Sequence, residues 1–385
     1  MELIVVNHHQ SSHDFSQLPN ARVIKGRTVK EFYRNAKEVL DQDVDMVISD
    51  QDPDGLTSII VYGLQHKIKN IRCTRNVLTK EDVQRLEADG IEKILALDWY
   101  PFRTSALDAF EKVYFIIPQY SGLPNVNSSE IVFQSLDPEN SFARDMSAIG
   151  TVCDYLVETA MEKIVTVVHN YPTLFFDLLP LLKENEITRY NVFESRFKEL
   201  SYMFWAPFVL EGEEGCVKFL QVITSSPPFG LDELFLESPH PAVNYLQKGL
   251  DKLQALFNEE LQHFEAEKKT MGDVIVYQPK SEGNITAFFA NNITNSYADN
   301  ILMIKTPNKE NPQKWKYSIR RRNLDINIGL VLEEMQAGET RGGHPEAAGV
   351  TGVKDTDKFE YDFLKRIESM RLRENYSFIK KETEK

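Results

Sequence analysis

Apolar residues in the first 135 positions follow two alternating patterns. Short apolar runs typical of buried strands are separated by segments in which apolar residues recur at helical spacing. Strands that alternate with helices imply βαβ units and a mostly parallel sheet. The predicted strands are Leu3–Val6, Met46–Ile48, Ile71–Val77, Ile94–Leu97 and Val113–Ile117, and the predicted helices cover 28–41, 55–66, 79–88 and 104–111.

The pattern changes twice further along the chain. Residues 141–270 are predicted to be mainly helical, including helices at Met146–Met161 and Phe193–Leu210, and a long amphipathic helix from Ala242 to Lys269 connects two domains. Residues 272–372 alternate again and predict a smaller α/β domain. Its predicted strands are Val274–Gln278, Ile285–Ala290, Ile301–Lys305 and Tyr317–Arg320, and its predicted helices cover 327–337 and 357–370. The charged tail, 373–385, is expected to be frayed.

Length and composition favour a protein of several domains that acts inside the cell. The chain has 385 residues, of which 42% are apolar, enough for two or three domains with sizeable cores. It has no apolar run of 18 residues, which predicts no membrane span. The N-terminus has no basic segment before an apolar one, so secretion is not expected. Three widely spaced cysteines fit reduced thiols, and a cytoplasmic or nucleoid-associated location is predicted.

The charge balance limits the kind of nucleic-acid contact that the chain can make. A net charge of −14 argues against broad electrostatic wrapping of nucleic acid. It leaves room for a local basic groove at Arg320, Arg321 and Arg322, or for a strand held through metal ions. An acidic outer surface also suits a basic protein partner.

The first stretch with a chemical signal is VISDQDPDGLTS, residues 47–58. Asp50, Asp52 and Asp54 alternate at the end of a predicted strand, and Gly55 and an apolar helical run follow. Ligands of open α/β sheets bind at the carboxyl ends of strands. Crowded carboxylates repel one another, and their hard oxygen atoms select Mg²⁺ or Mn²⁺. The alternative is a polar loop in which Asp54 caps the next helix.

The second such stretch is TRGGHPEAAGVTG, residues 340–352. Gly342 and Gly343 allow the backbone to approach a ligand closely. Backbone N–H groups in such a turn bind anions, and Arg341 and His344 add charge or hydrogen-bond donors. The alternative is a glycine-rich turn that closes a hairpin, with His344 merely exposed.

Together these stretches resemble the DHH phosphoesterase superfamily, in particular its RecJ-like nuclease branch. The matching residues are Asp50, Asp52, Asp54 and Gly55 for the first motif, Asp98 in ILALDWYP for the second, Asp177 in FFDLLPLL for the fourth, and Gly342–Gly349 for the C-terminal GGH-x-x-AAG. The resemblance implies a DHH-type domain at 1–240, a connecting helix at 241–271 and a DHHA1-type domain at 272–372.

The third motif, Asp-His-His, is missing from the position that the resemblance assigns to it. Ile117, Pro118, Gln119 and Tyr120 stand there instead. In the enzymes that this chain resembles, Asp-His-His supplies ligands of the second metal ion and a histidine that stabilises charge on the phosphate. The site of the second ion is therefore expected to be weakened or lost.

The resemblance also implies roles for the remaining residues. Asp50, Asp52 and Asp98 would hold one Mn²⁺ or Mg²⁺ ion, Asp54 would bridge to a second, and Asp177 would help to hold it. Of these, the predicted catalytic residues are Asp52, Asp54 and Asp98. Phosphate binding falls to Arg320, Arg341, Gly342, Gly343 and His344.

Two classes of function remain open at this stage. One is a RecJ/Cdc45-like protein of DNA replication or repair, which binds single-stranded DNA or RNA with weakened or lost phosphodiesterase activity. Its expected partner is a replication complex of the GINS and MCM kind. The other is an active Mn²⁺-dependent exonuclease or oligonucleotide phosphodiesterase. The missing third motif favours the first, and the intact first motif and GGH turn support the second.

Overall fold

The computed structural model describes most of the chain and divides it into two compact units. The units are Met1–Leu253 and Gln254–Lys385. The described residues are 2–8, 21–74, 78–99, 105–121, 123, 126–154, 156–158, 160–184, 186–281, 284–308, 311–322, 326–343 and 347–383.

The first unit contains a parallel sheet, as the alternating pattern predicts. Its strands are β1 (Glu2–His8), β2 (Ala21–Gly26), β3 (Met46–Ser49), β4 (Ile71–Cys73), β5 (Lys93–Leu97) and β6 (Lys112–Ile116). They lie in the order β2-β1-β6-β5-β3-β4, and every pairing is parallel. The sequence pattern missed β2, because this edge strand has half-buried Val23 and Ile24 between exposed residues.

Eleven α-helices lie in the first unit or begin in it among the described residues. They are α1 (Val29–Leu40), α2 (Pro53–Gly63), α3 (Lys80–Ala88), α4 (Pro118–Ser121), α5 (Ser128–Leu136), α6 (Ser141–Cys153), α7 (Met161–Asn170), α8 (Leu178–Glu184), α9 (Arg189–Glu194), α10 (Arg196–Thr224) and α11 (Pro241–Glu267). Residues 105–109 form a 3₁₀ helix. The prediction of one helix over Met146–Met161 is wrong, because α6 ends at Cys153 and α7 begins at Met161. The predicted long helix is confirmed as α11, and the division between the units falls within it.

Helix α2 is the centre of the helical packing in this unit. Its residues from Pro53 to Tyr62 are all buried, including the polar Asp54, Thr57 and Ser58 on one face. Helices α5, α6 and α10 contact it. The residues that begin α2 are therefore held rigidly at the edge of the sheet.

The second unit contains a mixed sheet with helices. Its strands are β7 (Lys269–Met271), β8 (Val274–Tyr277), β9 (Ile301–Pro307), β10 (Trp315–Arg320), β11 (Thr340–Gly343) and β12 (Ala347–Val353), in the order β11-β12-β10-β9-β8-β7. Strands β8 and β9 pair in parallel, and the other pairs are antiparallel. The helices are α12 (Ile285–Ile293), α13 (Ile328–Met335) and α14 (Thr356–Thr383).

Two expectations for the second unit are wrong. The predicted strand at Ile285–Ala290 is helix α12, in which Ile285, Phe288, Phe289 and Ile293 are buried at helical spacing. A short continuous apolar run does not distinguish a strand from a buried helix. The backbone of the charged tail also continues α14 as far as Thr383 instead of fraying. Among the described residues, no helix combines the length and the apolar character needed to cross a membrane.

Candidate metal centre

The candidate metal centre lies where two neighbouring strands of the parallel sheet end. Ser49, the last residue of β3, pairs with Leu97, the last residue of β5. Asp50 and Asp98 follow directly and therefore emerge at the same edge. Asp98 has a φ of 59°, a conformation that residues other than glycine rarely adopt and that costs about 1–3 kcal/mol. Backbone strain of this kind concentrates at functional sites.

Three of the predicted carboxylates come together at this edge. One carboxylate oxygen from each of Asp50, Asp52 and Asp98 lies within 4.8 Å of the other two, and all three residues are half-buried. A set made only of carboxylate oxygens fits a hard divalent cation such as Mg²⁺ or Mn²⁺. These residues are the ones that would hold the ion.

The start of α2 fixes the first motif. Asp52 is the N-cap residue of α2, and its side chain accepts a hydrogen bond of 3.1 Å from the Gly55 N–H. The alternative in which Asp54 caps this helix is therefore wrong. A Cβ atom at Gly55 would lie 2.5 Å from Ser49 Oγ and 2.6 Å from the Asp50 carbonyl oxygen. Only glycine lets the helix begin this close to the strand end.

Burial and the charges of neighbouring carboxylates both disfavour an ionised Asp98. Burial raises the pKa of Asp98 well above its usual value, and the charges of Asp54, Asp52, Asp154 and Asp50 raise it further. Asp154 caps the C-terminus of α6 and was not among the predicted site residues. No local motif marks it, because folding alone brings it to the site. A divalent cation would relieve this repulsion.

Asp54 lies beside this group but is bound differently. It is fully buried, and its two oxygen atoms accept hydrogen bonds from the N–H groups of Ser128, at 2.9 Å, and Ser129, at 3.0 Å. Burial raises the pKa of Asp54, and the bonds from Ser129 and Ser128 and the charge of Lys163 oppose that shift. The group of three carboxylates does not include it.

The segment in the place of the third motif contributes to this site without an acid or a histidine. Ile117 is buried after β6, α4 follows, and Asn127 caps the N-terminus of α5. Ser128 Oγ donates a hydrogen bond of 3.1 Å to Asp98 Oδ1. The sequence reasoning missed Ser128 and Ser129, because an NSSE stretch before an apolar run is an ordinary helix start.

Asp177, the predicted residue of the fourth motif, is not brought to the three carboxylates. It lies exposed on the turn before α8, and the group found among the described residues consists of Asp50, Asp52 and Asp98. Its role as a ligand stays a prediction.

The predicted phosphate-binding turn belongs to the second unit, where it joins two strands. Strands β11 and β12 form a hairpin in which Gly342 pairs with Gly349 and Gly343 with Ala348. Residues 344–346, including the predicted His344, lie outside the described residues. Arg341 is exposed on β11. The hairpin alternative is thus correct for the pairing of β11 with β12, and anion binding at the turn stays a prediction.

Arg320 lies next to this hairpin and is half-buried, whereas Arg321 is buried. Arg320 pairs with Ala347 in the register of β10 and β12. Its Nε donates a hydrogen bond of 2.7 Å to Asn291 Oδ1, which orients the half-buried guanidinium. Arg321 is buried and lies 3.5 Å from Asp273 in an ion pair. Arg321 is therefore engaged in an ion pair inside the protein and does not contribute to the predicted basic groove.

The comparisons with known proteins agree with this geometry. The DHHA1 domain family model matches residues 272–370. The structure is similar to that of RecJ in complex with Mn²⁺ from Thermus thermophilus, with a TM-score of 0.56 and 17% identity. Residues 272–370 are similar to the DHHA1 domain family, and the chain has a RecJ-like fold. The similarity covers 89% of this chain and 55% of the Thermus RecJ chain, so the chain spans about half of that relative.

Two further structures share this fold. An exonuclease RecJ bound to manganese has a TM-score of 0.50 and 16% identity, with 89% of this chain and 94% of that chain covered. A DHH domain from a member of a family of ribosomal proteins has a TM-score of 0.53 and 11% identity, with 88% and 89% covered. No curated protein matches the sequence. At these identities the similarity establishes the fold, and activity has to be argued from the site.

Proposed function

We propose that this protein is a RecJ/Cdc45-like protein of DNA replication or repair. It binds single-stranded DNA or RNA and has a weakened or lost metal-dependent phosphodiesterase activity. One observation carries the proposal. Asp50, Asp52 and Asp98 form a site fit for a divalent ion, while residues 117–120 supply neither acid nor histidine.

The residues described here would act mainly by holding a metal ion and by binding phosphate groups of a nucleic-acid strand. A bound Mn²⁺ or Mg²⁺ ion supplies Lewis-acid polarisation of a phosphate and lowers the pKa of bound water. Asp52 is fixed by the start of α2, and Asp98 by the Ser128 hydroxyl. Arg320, oriented by Asn291, is suited to bind a backbone phosphate, because guanidinium binds phosphate oxygens in a bidentate manner.

The expected loss of rate follows from the missing third motif. Removing one group that stabilises charge in the transition state costs about 10²–10³ in rate. Several such groups are absent here, although the effects of grouped residues do not add. Binding of a nucleic-acid strand does not require those groups.

The alternative is an active Mn²⁺-dependent exonuclease or oligonucleotide phosphodiesterase. The approach of three carboxylates to within 4.8 Å favours it, as does the strained φ of 59° at Asp98. Such an enzyme would need other groups to stabilise the phosphate, because residues 117–120 supply neither acid nor histidine.

The proposed class of partner follows from the charge, and the proposed location from the three cysteines that fit reduced thiols. A net charge of −14 suits a basic protein surface, and a replication complex of the GINS and MCM kind is the proposed class of partner. A cytoplasmic or nucleoid-associated location is proposed with it.

The experiment that tests the proposal is degradation of end-labelled single-stranded DNA and a matching RNA, in Mn²⁺ or in EDTA. Asp52→Asn, purified in parallel, controls for contaminating nucleases. We expect strand binding with little or no cleavage above that control. Rapid and complete cleavage that needs Mn²⁺ and is lost in Asp52→Asn would establish the alternative. Failure to bind either strand would contradict both.

A further inference from the structure

Asp54 is enclosed by protein groups on the side where a metal-bridging carboxylate would need to be open. Both of its oxygen atoms accept N–H groups from the first turn of α5, from Ser128 and Ser129. The N-terminus of a helix carries a partial positive charge that stabilises an anion placed there. Asp54 is fully buried, so solvent does not share in this stabilisation.

A buried lysine, paired with the carboxylate of Glu130, lies in the same region. Lys163 Nζ, on α7, donates hydrogen bonds to Ser147 Oγ at 2.7 Å and Thr151 Oγ1 at 2.9 Å, and it forms an ion pair with Glu130. Its charge also acts on Asp54. Glu130 belongs to the first turn of α5, so its ion pair connects Lys163 directly to the N-terminus of that helix.

The packing of α6 closes the remaining space around Asp54. A Cβ atom at Gly150 would lie 3.0 Å from Asp54 Oδ1, 2.4 Å from Thr57 Oγ1 and 2.5 Å from Ser129 Oγ. An ion with its water ligands takes far more room than a methyl group. A second cation at Asp54 would therefore compete with an N–H donor at each oxygen atom, and α6 crowds Oδ1 in addition.

We propose that the first turn of α5 and Lys163 neutralise Asp54 in place of a second cation, so that the chain holds one divalent ion. That ion binds to Asp50, Asp52 and Asp98, and Asp54 is a positioning residue and not a ligand. This inference rests on the proposed function only in requiring that the three carboxylates bind an ion. It departs from the bridging role that the family resemblance implies for Asp54.

The test is a count of Mn²⁺ ions per chain in the full-length protein, from the electron paramagnetic resonance signal of the free ion during titration. We expect one ion for the wild type. Asp54→Asn should keep that ion with an affinity changed by less than about threefold. Asp52→Asn and Asp98→Asn should weaken it by about tenfold or more, because each removes a charged ligand.

Each outcome decides a different point. Two ions in the wild type would overturn the inference while leaving the proposed function intact. Loss of the ion in folded Asp54→Asn, to the same degree as in Asp98→Asn, would also overturn it. No binding in the wild type would refute the metal site and this inference, and it would leave strand binding without phosphodiesterase activity as the proposed function. If Asp54→Asn fails to fold, the wild-type count decides alone.

A second measurement tests the role of Lys163 by a double-mutant cycle in urea unfolding. If Lys163 neutralises Asp54, Lys163→Met and Asp54→Asn together should cost less than the sum of the two single variants. We expect a coupling of about tenfold in the unfolding equilibrium constant, within the range of residues that interact closely. Lys163→Arg, which keeps the charge, should retain most of the wild-type stability. Additive effects of the two neutral variants would overturn the role of Lys163.

Discussion

The segments that follow β3 and β6 differ in what they contribute to the site: the first supplies carboxylates, and the second supplies hydrogen-bond donors. After β3 and its neighbour β5, three carboxylates converge to within 4.8 Å, and further carboxylates raise the pKa of Asp98. After β6, the chain brings the amides of α5 to a carboxylate, and Lys163 is buried close by. The comparison shows that the carboxylates after β3 and β5 would be stabilised by a bound cation. The carboxylate that contacts α5 is instead stabilised by N–H groups and by a nearby lysine of the protein.

Removing the built-in charge should have the largest effect on folding. Lys163→Met leaves Glu130 and Asp54 buried beside an apolar side chain. Breaking a buried ion pair in this way costs about 3–5 kcal/mol. The measurement is urea unfolding, with Lys198→Met as the control, because Lys198 forms an exposed pair with Glu194 and such pairs contribute about 0–1 kcal/mol. Equal effects of the two variants would contradict the comparison.

Gly55→Ala tests the rigidity of the metal side. Its methyl group would meet Ser49 Oγ and the Asp50 carbonyl at 2.5 and 2.6 Å, so strand and helix have to move apart. Overpacking of this kind costs about 1–3 kcal/mol. We expect lower stability together with weaker Mn²⁺ affinity, measured on the same preparation by thermal unfolding and ion titration. Unchanged ion affinity in a destabilised variant would mean that the carboxylates tolerate the movement.

Asp145 shows what a buried carboxylate does when it has neither a metal nor helix amides. Asp145, on α6, accepts a hydrogen bond of 2.6 Å from the Tyr171 hydroxyl, and its Oδ1 has no hydrogen-bond partner in the described structure. Burial raises the pKa of Asp145 from 3.8 to about 6. The folded state therefore binds this proton more tightly than the unfolded state does, and stability falls as the pH rises from about 4 to about 6.

Asp145→Asn should remove that loss of stability. We expect the variant to be more stable than the wild type by about 1–3 kcal/mol at pH 7.5, with the difference disappearing near pH 4. Urea unfolding at the two pH values measures it. A difference independent of pH would show that the carboxylate is held ionised at little cost.

Asp177→Asn should have the smallest effect. Asp177 is exposed on a turn, and the one-ion site does not use it. We expect Mn²⁺ affinity to change by less than about twofold, and surface substitutions of this kind alter stability by about 0.5 kcal/mol or less. A loss of one bound ion would restore the role that the family resemblance implies for this residue.

Much of the fold and the centre of the site could be predicted from local signals. The alternation of strands and helices indicated the parallel sheet, and Asp50, Asp52 and Asp98 mark its strand ends. The binding of Asp54 could not be predicted, because its partners Ser128 and Ser129 are 74 and 75 residues away in sequence. Helix α12 was missed for a different reason. Its short apolar run is continuous, so the spacing of its apolar residues does not distinguish a helix from a strand.

The left-handed backbone of Asp98 has a thermodynamic consequence. Its strain and the repulsion among the carboxylates are costs that the folded protein bears whether or not an ion is bound. An ion that binds only the folded state adds about 2.7 kcal/mol of stability at one hundred times its dissociation constant. The melting temperature should therefore rise with free Mn²⁺ in the wild type and rise less in Asp98→Asn at the same ion concentrations. Through this linkage, the lifetime of the folded protein would follow the divalent-ion supply around it.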